Sequence, residues 1–233
     1  MKSDIPVYDL HTISEYRQED ILISRLAPYV ENHKHLLFPH RHNFFHIVLF
    51  TKGSGTHAID FQSFPVKPYQ IYFMSPGQVH DWNFEKRVDG YVINFSNSFF
   101  QSFLLRPDFL ENFPFFDGSV NNSVLNIPEE YREQIKELFE ELLHEETGNK
   151  KHSANMVRVL LLKIFILISR FSIQDHKSAI NSSYNYTLLK NFQQLIERNY
   201  TALRLPKDYA ELLYITPNHL NALCNDMLGI SAG

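Results

Sequence analysis

The stretch Leu205–Leu223, LPKDYAELLYITPNHLNAL, decides the C-terminal fold of this 233-residue chain. Ala210 is a small residue at the point where two crossing helices would touch, and Leu220 lies on the inward face of the second segment. Thr216 and Pro217 supply an N-cap and a proline at the first helical position, so they fix where the second helix begins. The stretch therefore predicts two short helices around a tight turn, a helix-turn-helix.

The start of the second helix carries the side chains that would face a partner. Recognition helices touch base edges with their N-terminal residues, and asparagine can pair with adenine whereas alanine can contact a thymine methyl. The pattern predicts major-groove DNA binding, with a plain helical hairpin as the alternative. The predicted DNA-binding residues are Thr216, Asn218, His219, Asn221 and Ala222.

The charge of the C-terminal segment limits the expected affinity for DNA. Acids balance its cations, so little of the charge that neutralises phosphates is present. We therefore expect weak binding. The cations are Lys190, Arg198, Arg204 and Lys207, and the acids are Glu197, Asp208, Glu211 and Asp226.

Upstream, residues 38–95 form short aromatic and β-branched runs separated by turn residues. The runs are Phe44–Thr51, Thr56–Phe61, Gln70–Met74, Val79–Phe84 and Gly90–Phe95. Regular short strands with frequent turns favour an antiparallel sandwich or barrel over alternating βαβ units. Both faces of the first run are apolar, which predicts a strand covered on both sides.

From residue 128 to 172 the apolar period changes to that of a helix. Pro128 is expected at the first helical position, and Ile135, Leu138, Phe139, Leu142 and Leu143 share one face. Ser153 is expected to cap a second helix with an apolar stripe of Met156, Leu160, Ile164, Ile168 and Phe171. The pattern predicts an antiparallel hairpin whose second helix needs a further partner, either the β-domain or, as we favour, a second copy of the chain.

Composition excludes several classes of protein. The formal net charge of −4 argues against binding nucleic acid by bulk electrostatics. One cysteine, Cys224, excludes an internal disulfide framework, and the N-terminus lacks the apolar stretch of a signal peptide, so we expect a cytoplasmic protein. The strongest apolar run, Val157–Ile168, is shorter than the roughly 20 residues of a membrane span. We expect no membrane partner.

These motifs together resemble the AraC/XylS family of bacterial transcription regulators. Leu205–Leu223, closing with Gly229-Ile230-Ser231, resembles the first of the family's two helix-turn-helix units. The run from Pro39-His40-Arg41-His42 through Gly53-Ser54-Gly55 to Ser75–His80 resembles the cupin sensor domain that precedes such units. The order of sensor, hairpin, linker and DNA-binding unit is more specific than either motif alone.

The resemblance implies an α+β fold and a bacterial, cytoplasmic regulator that is not an enzyme. We expect a cupin-like antiparallel β-barrel (jelly roll) over 1–127, a dimerising helical hairpin over 128–172, a linker over 173–186, and a small all-α helix-turn-helix subdomain over 187–233. Base contacts carry over to Asn218, Asn221 and Ala222. The second helix-turn-helix unit is missing, so we interpret the chain as truncated. The implied partners are DNA, a small-molecule effector in the barrel, with a sugar-like molecule as one candidate, and a second copy of the chain.

The sensor segment is rich in histidine. His40, His42 and His46 share a parity that places them on one interior face of an extended segment, and His80 matches the late histidine of the cupin motif. Trp82 shares the parity of His80, either as a core residue or as a stacking platform for a flat or sugar-like effector. We predict an effector pocket formed by His40, His42, His46, His80 and Trp82, without a cofactor or a catalytic residue.

A metal-dependent cupin enzyme of the dioxygenase or isomerase type is the alternative. Metal-binding cupins use His-x-His, a glutamate a few residues later and a further histidine. Neutral imidazoles suit Zn, Fe, Ni or Cu, but His46 occupies the place of the glutamate. The remaining alternatives are histidines that hydrogen-bond in a pocket and histidines that are simply packed or exposed.

Overall fold

The computed structural model describes residues 5–13, 20–60, 62–101, 109–117, 119–148, 150–172 and 182–233. The chain forms two compact units, Met1–Ser172 and Ile173–Gly233. The first nine residues of the expected linker, 173–181, lie outside the described residues. No described helix is long and apolar enough to cross a membrane.

Two five-stranded sheets form the core of the first unit. Among the described strands, all pairs are antiparallel except the parallel pair β1–β3. The strands are β1 (Val7–Tyr8), β2 (Ile21–Arg25), β3 (His40–His42), β4 (Phe45–Lys52), β5 (Gly55–Ile59), β6 (Gln62–Pro65), β7 (Gln70–Met74), β8 (Val79–Phe84), β9 (Asp89–Phe95) and β10 (Val124–Asn126). Sheet A has the order β1-β3-β8-β5-β6, and sheet B has the order β10-β7-β4-β9-β2.

Helices complete both units and confirm the predicted α+β class. The α-helices are α1 (Leu10–Ile13), α2 (Leu26–Asn32), α3 (Asn97–Gln101), α4 (Val120–Ser123), α5 (Arg132–Thr147), α6 (Ser153–Ser172), α7 (Ser182–Asn199), α8 (Pro206–Leu212) and α9 (Pro217–Leu228). Short 3-10 turns span Lys34–Leu37, Phe109–Asn112, Pro114–Phe116 and Glu129–Tyr131.

Strand β4 separates two hydrophobic cores. Val48 and Phe50 face sheet A in a core that also contains Trp82. Ile47 and Leu49 face the other way, into a core shared with the hairpin. Because successive side chains of a strand point to opposite faces, the apolar sequence of β4 is explained by protein on both sides. The prediction of a strand covered on both faces is confirmed.

The hairpin α5–α6 packs on the outer face of sheet B. Phe165 of α6 is fully buried among aromatic rings, with ring centroids 6.3 Å from both Phe73 and Phe95. A polar link joins the hairpin to the sheet: Arg25 donates to both Glu140 carboxylate oxygens, at 2.6 and 2.7 Å, and the Tyr91 hydroxyl donates to the same carboxylate. The β-domain therefore covers most of the apolar surface of α6.

Three local expectations for the hairpin are wrong. Pro128 precedes the 3-10 turn Glu129–Tyr131 as its N-cap residue instead of opening a helix at its first position. Ser153 is the first residue of α6, and its hydroxyl donates to the Glu145 carbonyl 2.6 Å away, so it ties α6 back to α5. Met156 is 48% exposed, because the buried stripe of α6 begins at Val157.

The second unit contains α7, followed along the chain by the expected helix pair α8 and α9. Helix α7 begins at Ser182, earlier than the predicted start at Thr187, so the expected linker is helical from there. The Thr216 hydroxyl accepts the backbone N–H of His219, which confirms the predicted N-cap. Ala210 is fully buried, as a crossing residue must be. Tyr214 occupies the turn with φ 55° and is 96% exposed, a left-handed conformation that non-glycine residues seldom adopt.

Candidate functional site

Cross-strand pairing builds a polar cluster between the two sheets. His40 of β3 lies opposite His80 of β8, and His57 of β5 lies opposite Trp82 of β8. Directly opposed residues of antiparallel strands share a face and lie within contact distance. Sheet A thus gathers three histidines and Trp82, and His42 joins them through the alternation of β3.

Sheet B contributes His46 from β4, opposite Asn94 of β9. The Nδ1 of His46 contacts Asn94 Oδ1, and Asn94 Nδ2 donates to the Tyr29 hydroxyl 3.2 Å away. The His46 ring centroid lies 5.0 Å from that of His42 and 5.6 Å from that of Trp82. This chain of contacts fixes the orientation of His46 toward sheet A.

The structure thus brings all five predicted pocket residues together. Each of them is at most 4% exposed. Their role as an effector pocket stays a prediction. The five are His40, His42, His46, His80 and Trp82.

Three residues of the site were missed from the sequence: His57, Asn94 and Tyr29. His57 and Asn94 are fully buried in the cluster. The alternation of β5 and β9 placed each on an inward face, but only the strand register shows that they meet His80 and His46. Tyr29 comes from α2, whose approach to the sheets has no periodic signal.

The nitrogen atoms of the histidines lie unusually close together. His42 Nε2 is 3.0 Å from His40 Nε2 and 3.3 Å from His80 Nε2. His80 Nδ1 is 3.1 Å from His57 Nε2. His40, His42 and His80 are therefore a group that could hold a metal ion, with one ligand nitrogen each and all three nitrogens within 4.8 Å of one another.

Several buried polar atoms at the site lack partners. Within the part of the chain that the structure describes, His46 Nε2, His57 Nδ1 and Trp82 Nε1 have no hydrogen-bond partner. A buried polar atom without a partner costs about 1–3 kcal/mol. Unpaired donors and acceptors that converge on one site are typical of places that receive a polar ligand.

Burial keeps the histidines neutral. It lowers the pKa of His46 to about 3, although the contact with Asn94 opposes the shift. It also lowers the pKa values of His42, His57 and His80 well below 6.5, and the neighbouring histidines add to the shift. The pKa of His40 is lowered by burial, against the opposing effect of the Phe38 carbonyl.

The predicted DNA-binding residues lie at the start of α9. Thr216, Asn218, His219 and Ala222 are exposed. Asn221 differs: it is half-buried, and its Oδ1 accepts the backbone N–H of Ala232 at 3.0 Å. Asn221 is therefore engaged in holding the segment after α9.

Comparisons with known proteins identify the family of this chain. The model of the AraC-like ligand binding domain matches residues 23–163, a span that runs from β2 into α6. The chain belongs to the family of proteins with an AraC-like ligand binding domain, and the resemblance to the AraC/XylS regulators is confirmed.

Individual relatives are distant. The HTH-type transcriptional activator RhaR of Mannheimia succiniciproducens is 25% identical over 195 residues, which are 81% of this chain and 67% of RhaR. The AraC-like transcriptional activator CuxR is similar with a TM-score of 0.42 and 13% identity, covering 90% of this chain and 72% of CuxR. ToxT of Vibrio cholerae is similar with a TM-score of 0.37 and 9% identity, covering 91% of this chain and 95% of ToxT.

Because its buried histidines are neutral, we expect the first unit to become less stable as the pH falls. Their folded-state pKa values lie below the ordinary 6.5, so the unfolded chain binds more protons as pH falls below about 6.5. The free energy of unfolding is therefore highest above that pH. Below it, the free energy of unfolding falls by up to about 1.4 kcal/mol per pH unit for each buried histidine.

Urea unfolding between pH 7.5 and 5.5, followed by the fluorescence of Trp82, measures this slope. His46→Gln is expected to make the slope shallower, because it removes one group that must stay neutral. A free energy of unfolding that does not change with pH in the parent chain would contradict the assignment.

Proposed function

We propose that this chain is a transcription regulator of the AraC type, which binds a small-molecule effector between its sheets and DNA through α8 and α9. The match of residues 23–163 to the AraC-like ligand binding domain carries the proposal. The capped helix α9, with its exposed first turn, supports DNA as the second partner. A regulator of this kind acts in the cytoplasm, where its DNA lies.

The effector site that we propose is the cluster between the sheets. Trp82 contributes a buried aromatic ring, and its Nε1–H has no hydrogen-bond partner among the described residues. His46 Nδ1 donates to Asn94 Oδ1, so Nε2 of the neutral ring is an acceptor, and it has no partner in the described part of the chain. A polar, hydrogen-bonding effector such as a sugar would satisfy both atoms, whereas an apolar one would leave them unpaired.

A metal-dependent enzyme has less support than a regulator. The named relative RhaR is a transcriptional activator. In addition, His46 stands where metal-binding cupins place a glutamate, so the carboxylate of that ligand set is absent from its position. We infer that the cluster senses a ligand and that the chain is not an enzyme.

Regulation requires the effector to favour one arrangement of the protein. An effector that bound all arrangements equally would change nothing. The route that we propose runs through β4, whose His46 faces the effector site and whose Ile47 faces the hairpin. We propose that the hairpin is the dimer interface, so that the effector changes how two copies present their DNA-binding helices.

Effector binding is expected to raise the thermal midpoint of the chain. A ligand at 100 times its dissociation constant stabilises the folded state by about 2.7 kcal/mol. Thermal-shift measurements against a panel of sugars and aromatic acids test this. Trp82→Phe is expected to reduce the shift, because it keeps an aromatic ring but removes the Nε1–H donor. Tyr200→Phe, at an exposed position of the other unit, is the control. If no compound shifts the parent, or if Trp82→Phe responds as the parent does, the pocket assignment is wrong.

DNA binding is expected to be weak and sensitive to salt, because few cations flank α9. Selection from a random duplex library at about 50 mM salt, followed by fluorescence anisotropy, should give a preferred sequence with roughly micromolar or weaker affinity near physiological salt. Asn218→Ala should weaken that preference, and Asn225→Ala, two turns further along α9, should not. Nanomolar binding at physiological salt would contradict the expected weakness. Binding without any sequence preference would contradict specific recognition.

The exposed apolar stripe of α6 is expected to mediate dimerisation. Met156 and Val159 are each 48% exposed and Ile166 is 38% exposed. Sedimentation velocity should show a dimer for the parent and a monomer for Val159→Glu. The thermal midpoint of the Val159→Glu monomer should stay close to that of the parent chain, since the changed side chain faces solvent. Tyr200→Glu adds a carboxylate to an exposed position of the second unit and should leave the dimer intact. A parent that is monomeric at all concentrations would refute this interface.

A further inference from the structure

Three imidazole nitrogens converge at one point between the sheets. We propose that His40, His42 and His80 bind a divalent first-row transition-metal ion as a three-histidine site. The inference rests on the proposed function, because the metal site lies within the proposed effector site. It deepens that proposal by naming the chemical class of one ligand.

The spacing of the nitrogens fits a metal ion. Zinc binds histidine nitrogen at about 2.0–2.1 Å in tetrahedral sites, which places two ligand nitrogens about 3.3–3.4 Å apart. His42 Nε2 lies 3.3 Å from His80 Nε2 and 3.0 Å from His40 Nε2. Small rotations of the rings reach the ideal separation.

Hydrogen bonds at Nδ1 of His40 and His80 leave the Nε2 lone pair of each ring free to face the proposed metal position. His40 Nδ1 lies 2.7 Å from the Phe38 carbonyl oxygen, which can only accept, so Nδ1 carries the hydrogen of the neutral ring. His40 Nε2 is then a lone pair. His80 Nδ1 can likewise donate to His57 Nε2 at 3.1 Å, which leaves His80 Nε2 as a second lone pair. Ligand histidines typically donate their other N–H to such a partner.

His42 decides between the metal-free and the metal-bound arrangement. Without a metal, a hydrogen on His42 Nε2 can be shared between the lone pairs of His40 and His80. When His42 takes its other neutral tautomer, with the hydrogen on Nδ1, its Nε2 presents a third lone pair at the same point. The hydrogen thus moves from Nε2 to Nδ1 of His42, so the ring stays neutral and a metal ion can take the place that the hydrogen held between the three nitrogens.

His46 adds an acceptor beside these three nitrogens. Its Nδ1 donates to Asn94, so its Nε2 is a lone pair, and that atom has no partner among the described residues. Its ring centroid lies 5.2 Å from that of His80. His46 can therefore accept a hydrogen bond from water on the metal. Neutral imidazoles select Zn, Ni, Cu or Fe, whereas Mg and Ca prefer oxygen ligands.

Metal binding to the whole chain, purified without a polyhistidine tag and stripped with chelator, tests the proposal. After equilibrium dialysis against Zn²⁺, Ni²⁺ or Co²⁺, elemental analysis should find one metal ion per chain, and Co²⁺ should give the visible absorption of a histidine-bound ion. Mg²⁺ and Ca²⁺ should not be retained. A parent chain that retains no transition metal would overturn the proposal, whatever the variants do.

Variants assign the ligands. His42→Gln and His40→Gln should each abolish the stoichiometric binding and the Co²⁺ absorption, while His144→Gln, exposed on α5, should bind as the parent does. His57→Gln should weaken binding about 10–100-fold, as expected for a partner that orients a ligand. Circular dichroism reports whether each variant is folded. Parent stoichiometry in folded His42→Gln would overturn the assignment.

The outcome is independent of the other proposed partners. Bound metal is measured without DNA and without an organic effector. If the chain binds metal but neither DNA nor an organic effector, the metal site is supported and the proposed regulator function is refuted. If an organic effector raises the thermal midpoint but no metal binds, the regulator function is supported and the metal site is refuted.

Discussion

Burial of β4 on both faces is the constraint on which the rest of the first unit depends. One face of the strand carries Val48 and His46 toward sheet A, and the other carries Ile47 toward the hairpin. Neither the cluster of histidines nor the packing of α6 can form unless β4 is correctly paired with β7 and β9. The polar centre and the helical layer are consequently two faces of one strand, and a displacement of its backbone reaches both.

Much of this architecture follows from local pattern. The runs Gln70–Met74 and Val79–Phe84 coincide with β7 and β8, because aromatic and β-branched residues bounded by turns leave little choice. The start of α9 was likewise predictable, since Thr216 and Pro217 act on their own backbone. Where a structure is decided within a few residues, the sequence contains the information.

The parts that could not be predicted depend on distant pairing. His57 and Asn94 enter the site only through the registers of β5 with β8 and of β4 with β9. The contact of Asn221 with Ala232 similarly requires the chain to turn back after α9. The periodic pattern predicts Met156 within the buried stripe because such a pattern does not show where a neighbouring sheet ends. Each error concerns which surfaces meet, a property that the spacing of residues along one segment does not contain.

The alternation of side chains along Phe45–Phe50 of β4 also limits how this protein can change during evolution. A deletion or insertion of one residue within the strand would exchange its two faces. Phe45 and Ile47 would then enter the polar cluster, and His46 would be pressed against the aromatic rings that surround Phe165. Substitutions can retune the centre one side chain at a time, whereas a change in strand length destroys both layers at once. The length of β4 should therefore be held constant among relatives even where its individual residues differ.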